Sequence, residues 1–182
     1  KFEIVKSKLF KEGLIDDSLR RNLPKYPNSI GILTSAPSSA LADMLRTAKE
    51  RWPLTKLYII PIPVQGNNES ELKTILSELR KNKLGLDSII IARGGGNRED
   101  LMLFDNEIIA REIATFPIPV ITGIGHEDDL TVSDLVSDHR SATPTAAIVD
   151  LLPSRENEKN NFLQNKKILN DYFKLFVQNK KN

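Results

Sequence analysis

Four short apolar runs, alternating with stretches of helical periodicity, confine this chain to a layered α/β fold. Residues 29–34 (SIGILT), 56–64 (KLYIIPIPV), 87–92 (DSIIIA) and 117–124 (PIPVITGI) are largely apolar, as strands covered on both faces must be. Between them, Ala40, Leu41, Met44, Leu45 and Ala48 recur at helical spacing within 35–51. Leu72, Ile75, Leu76 and Leu79 do so within 68–81, and Ile108, Ile109 and Ile113 within 106–114. Right-handed crossovers put such helices on both faces, so the expected fold is a doubly wound, mostly parallel sheet. Sheets of this kind bind ligands in the crevice at the carboxyl ends of their strands.

The two ends depart from this alternation. Residues 1–28 read as a charged, helical lead-in over 1–14 followed by a linker marked by Pro24 and Pro27. Residues 29–152 form the α/β body, and 153–182 read as the start of a helical arm. In that arm Leu169, Tyr172, Phe173 and Phe176 stand at helical spacing in an otherwise polar segment. The pattern suits a truncated coiled-coil arm; a single helix packed on the sheet is the competing expectation.

Charge follows the same division. Residues 1–29 carry 7 basic and 4 acidic groups and 154–182 carry 7 and 3, which leaves 12 and 17 in the middle. A domain that gripped nucleic acid only by its phosphates would show the reverse, because phosphate neutralisation needs lysine and arginine. The middle therefore reads as built for more than passive binding. Without cysteine there is neither a disulfide framework nor a thiolate metal site, and a reducing, cytoplasmic setting is expected. His126 and His139 alone cannot make a structural zinc cluster. No run reaches the length of a membrane span, and the first residues lack the shape of a signal peptide.

Three loops at expected strand ends carry the polar chemistry. The first, residues 34–40, offers Thr34, Ser35 and backbone N–H groups at a helix start, a phosphate seat, with Asp43 one turn further in. The second runs from Arg93 through Gly94, Gly95 and Gly96 to Asn97, Arg98, Glu99 and Asp100. Its glycines let the backbone approach a ligand, and Arg93 offers a planar fork for a phosphate. A dinucleotide fingerprint starting at Gly94 would need glycine where Glu99 stands, and no Lys-Ser/Thr pair follows as in a Walker loop. The third loop places His126 beside Glu127, Asp128 and Asp129, and leads to Asp134, Asp138, Arg140 and a Thr143-Pro144-Thr145 helix start. A histidine among carboxylates at a sheet edge suits proton transfer.

These loops resemble one known family, the large subunit of exodeoxyribonuclease VII, a bacterial nuclease of single-stranded DNA. The likeness rests on IGILTS and the helix containing Asp43, PIPVQG at 61–66, ARGGGNREDL at 92–101, and GHEDDLTVSDLVSDHRSATPTAA at 125–147. The chain departs from the family pattern at Ala92, Asn97 and Met102, where glycine, serine and tryptophan are usual; Met102 removes a stacking surface for a base. The resemblance implies an exonuclease whose active-site residues fall on Asp43, Arg93, His126 and Asp129. It also implies an excised catalytic domain, without the upstream OB-fold that holds single strands and without most of the helical region that recruits small subunits.

Under that reading Arg93 and the glycine-loop N–H groups take the phosphate, with Thr34, Ser35 and Arg140 as further DNA contacts. His126 transfers the proton, Asp129 orients its imidazole, and Asp43 positions water or holds a cation. The acidic residues Asp43 and Asp129 permit Mg²⁺, but the resemblance does not require a metal. The expected partners are single-stranded DNA and small subunits bound through the arm, with no membrane. Two alternatives stay open on the residues themselves: a nucleotide or nucleotide-sugar enzyme on the same fold, and a noncatalytic scaffold whose basic arms bind DNA or helices.

Overall fold

A computed structural model of the chain describes residues 2–63, 68–94, 98–125 and 129–181. After helix α1 (Phe2–Lys11) and a 3₁₀ turn (Asp17–Leu19), strands and helices alternate. The order is β1 (Ser29–Thr34), α2 (Ser39–Arg51), β2 (Lys56–Pro61), α3 (Glu69–Arg80), β3 (Ser88–Ala92), a 3₁₀ segment (Arg98–Leu103), α4 (Glu107–Ala114) and β4 (Val120–Gly123). Then come α5 (Val132–Val136), β5 (His139–Arg140), α6 (Pro144–Leu151) and the long α7 (Arg155–Lys181). The sheet order is β2-β1-β3-β4-β5, and every pairing is parallel. This is the expected doubly wound α/β architecture.

Alternation along the strands divides the core into two layers. Ile30, Ile32, Ile90 and Ile121 point to one face, where Leu41, Met44 and Ala48 of α2 and Ala147, Ile148 and Leu151 of α6 cover them. Leu33, Ile89, Ile91 and Val120 point to the other, under Leu72 and Leu76 of α3, Ile109 and Ile113 of α4, and Val132 and Val136 of α5. The central strands β1, β3 and β4 are buried throughout, which is why their sequences read as unbroken apolar runs. At the edge, β2 holds only exposed and half-buried residues.

Several boundaries differ from the sequence expectation. Helix α2 starts at Ser39 rather than Ser35, since Pro37 disfavours helical backbone at Ala36. Ser38 is the cap instead, its Oγ accepting from Leu41 N at 3.1 Å. Strand β2 closes at Pro61; Val64 lies outside the described residues. Strand β4 is four residues long rather than eight. A fifth strand, β5, was not expected at all, because two residues are too few for any periodicity.

The lead-in docks on the body. Val5 and Leu9 of α1 enter the second core layer. Arg111 of α4 takes both carboxylate oxygens of Glu12 at 2.6 and 2.8 Å, and Glu107 meets Lys8 at 2.7 Å. The Arg111 hydrogen bonds hold the Glu12 carboxyl below its ordinary pKa, and the Lys8 and Arg111 contacts do the same for Glu107. At the other end, α7 leaves Phe162, Leu169, Tyr172, Phe173 and Phe176 exposed, so it stands away from the sheet. Among the described residues no helix is long and apolar enough to cross a membrane.

Candidate active site

The chain reverses its winding at β1. Helix α2 leads to β2 on one side, while α3 carries the chain back to β3 on the other. The loops after β1 and β3 consequently turn toward opposite faces, and a crevice opens between the two carboxyl ends. Thr34 closes β1 at this point. It is fully buried, and among the described residues its Oγ1 has no hydrogen-bond partner, which leaves an unspent polar group at the end of the strand. Ser35 follows, half-buried, in the loop that reaches Ser38.

Beside Thr34, the register pairs Leu33 with Ile91 and Ala92 with Gly123, so the three central strands end in one row. Arg93 extends that row. Its backbone N donates to Gly123 O at 3.1 Å, and its side chain is buried at 4% exposure. Gly94 comes next, and a Cβ there would stand 3.1 Å from the Cβ of Ala40. That close approach brings the loop after β3 against the first turn of α2, where backbone N–H groups and the positive end of the helix dipole would favour an anion. Asp43 lies one turn beyond Ala40 on α2, half-exposed, with Oδ1 accepting from Arg46 Nη2 at 2.8 Å.

The fourth strand contributes its end in the same way. Gly123 sits under the start of α6: a Cβ would fall 2.8 Å from Thr143 O and 3.1 Å from Pro144 Cα. Thr143 caps that helix, its Oγ1 accepting from Ala146 N at 3.0 Å. Gly125 and Asp129 lie side by side; any Cβ at Gly125 would collide with the Asp129 carbonyl oxygen. Arg140, on β5, is paired with Thr122. Thr34, Arg93, Gly94, Asp129 and Arg140 are thus brought to the carboxyl edge of four adjacent strands, a span of roughly 14 Å at the ordinary strand spacing. His126, Gly95 and Gly96 lie outside the described residues.

The two acidic residues downstream of the third loop have other tasks. Asp138 sits at the opposite edge: its Oδ2 accepts from Val120 N at 2.7 Å, and its Oδ1 accepts from Arg21 N and Nε at 2.7 and 2.9 Å. Asp134 closes a capping box with Thr131 at the start of α5. The Thr131-x-x-Asp134 spacing is a sequence signal of that box, whereas nothing in the sequence marks the Asp138 contacts.

With this geometry in view, comparison with known proteins gives one answer. The family model for the exonuclease VII large subunit matches residues 14–182. The chain belongs to the exonuclease VII large-subunit family. It is 58% identical over 174 residues to the exodeoxyribonuclease 7 large subunit of Synechococcus sp. (strain CC9311), covering 94% of this chain and 45% of that protein. The proteins of the same name from Campylobacter fetus subsp. fetus (strain 82-40) and Clostridium acetobutylicum are 44% and 41% identical over 98% and 100% of this chain, again 45% of each relative. The chain therefore spans less than half the length of these family members.

Proposed function

We propose that this chain is the phosphodiester-hydrolysing domain of an exodeoxyribonuclease acting on single-stranded DNA in the cytoplasm. The observation that carries the reading is the row Thr34, Arg93 and Gly94 at the point where the strand order reverses, facing the start of α2. That row can bind a phosphate but offers no proton-transfer group of its own. His126 supplies it, three residues before Asp129, whose carboxylate orients the imidazole and stabilises its charged form. Arg93 neutralises the non-bridging oxygens, assisted by the N–H groups of Gly94, Gly95 and Gly96 and by the Thr34 and Ser35 hydroxyls. Arg140 contacts the strand at the far end of the row.

Asp43 completes the set as the group that positions water or holds a cation. If Mg²⁺ takes part, Asp43 and Asp129 are the carboxylates assigned to hold it, since the ion takes oxygen ligands. Small subunits are the expected partners of the exposed apolar stripe on α7. The test is hydrolysis of single-stranded DNA by the whole enzyme carrying Arg93→Ala or His126→Ala. Loss of turnover in both supports the reading. Full activity of His126→Ala would end it and favour a noncatalytic scaffold.

A further inference from the structure

We infer that Asp134 is a positioning residue that aims Arg140 at the DNA strand. The inference rests on the proposed role of Arg140 as a phosphate contact. Asp134 is nearly sealed from solvent, with its side chain 1% exposed. One oxygen, Oδ2, accepts from Thr131 N at 2.9 Å and from Thr131 Oγ1 at 2.7 Å. The other, Oδ1, is buried with no hydrogen-bond partner among the described residues. A capping box needs only an acceptor oxygen, which a neutral asparagine would also provide. A full charge buried with one unsatisfied oxygen is costly unless a cation stands nearby.

Among the described residues that cation is Arg140, whose Nε lies 4.0 Å from Asp134 Oδ2. The distance is too long for a hydrogen bond between these atoms, yet close enough for strong attraction where water is excluded. Arg140 itself is 28% exposed at its side chain, on the strand end that faces the crevice. Asp134 is carried by a fixed element. Ser133 N and Oγ donate to Phe104 O at 3.0 and 2.8 Å, Val132 N donates to Asp105 Oδ1, and Ser137 Oγ meets Thr122 Oγ1 on β4 at 3.1 Å. A charge held this firmly behind a rim arginine limits the directions its guanidinium can take.

The experiment is a double-mutant cycle in the whole enzyme with Asp134→Asn, Arg140→Gln and both, reading KM and kcat on single-stranded DNA together with thermal stability. Asp134→Asn keeps the capping acceptor and removes the charge. It is expected to raise KM about five- to tenfold with little change in kcat, and to add less than about twofold on the Arg140→Gln background. Thr131→Val is the control: it removes the capping hydroxyl and one of the two donors to Asp134 Oδ2 but keeps the carboxylate charge, and should lower the melting temperature while leaving KM within about twofold of the parent. An unchanged KM in Asp134→Asn, an equal effect on both backgrounds, or a KM rise in Thr131→Val matching that of Asp134→Asn would each overturn the inference. An unchanged KM in Arg140→Gln would instead remove the phosphate role of Arg140 on which it rests.

Discussion

Gly123 shows how one side chain, or its absence, sets the shape of the crevice. With a Cβ placed 2.8 Å from the Thr143 carbonyl oxygen, Gly123→Ala must displace the start of α6 or distort the end of β4. The expected cost is about 1–3 kcal/mol of stability, read by urea denaturation, with turnover falling as well because Arg93 N is hydrogen-bonded to that glycine. The residues proposed for the chemistry should separate by role. His126→Ala is expected to lower kcat by ~10² to 10⁴-fold with DNA affinity nearly intact, as befits a group acting in the transition state. Arg93→Ala should instead raise KM and lower kcat together, because a phosphate contact acts in the ground state too. Equal changes in KM for the two variants would contradict the assignment.

The opposite edge of the sheet is held by contacts that have nothing to do with chemistry. Asp138, with its side chain 2% exposed, ties Arg21 of the linker to the first residue of β4. Asp138→Ala strands the Val120 N–H and a half-buried arginine, and should cost about 3 kcal/mol of stability while leaving kcat per folded molecule unchanged. Helix α1 depends on a different kind of contact. Glu12 and Glu107 have carboxyl pKa values depressed by their partners, so the stabilisation they give is complete above the ordinary carboxylate range and is lost as pH falls through their folded values. Thermal melts across acid pH should show this loss, and Glu12→Gln with Glu107→Gln should flatten it. Glu12 is exposed and Glu107 only half-buried, so the effect is small and shrinks further at high salt.

Taken together, the elements give the molecule two ends. The crevice occupies the carboxyl edge of the sheet, whereas α7 is rooted at the amino edge, where Tyr26 Oη donates to Glu158 and Arg51 Nε donates to the Leu152 carbonyl oxygen. Because α7 buries almost nothing against the body, ending the chain at residue 154 should leave the melting temperature of the α/β unit close to that of the full segment. The segment alone is expected to hold single-stranded DNA weakly and to lose affinity steeply with added salt, because the proposed site grips by phosphate contacts. Tight binding indifferent to salt would count against the proposed site. Chelation addresses the cation: activity that vanishes with excess chelator and returns with Mg²⁺ assigns Asp43 and Asp129 as ligands, and activity that persists leaves the charge work to Arg93 and His126.

The apolar runs alone were enough to specify a parallel sheet with helices on both faces, because a strand covered on both sides has no polar face to display. Helical periodicity likewise marked α2, α3 and α4 near their observed positions, and the Thr143-Pro144 pair marked the start of α6. What they could not give was anything decided between distant residues. The two-residue β5 exists only because the ends of β4 and α5 offer it a partner, and the start of α2 was set by Pro37 rather than by periodicity. Loop composition singled out Arg93, Gly94 and Asp129, and the sheet then gathered them along one edge. The same composition grouped Asp134, Asp138 and Arg140 together, yet the fold sends them to a helix cap, the far edge and the crevice rim. Position along the elements makes that division: α5 holds Asp134, while Asp138 meets the first residue of β4 and Arg140, two residues further along, pairs near its end, whatever their charge.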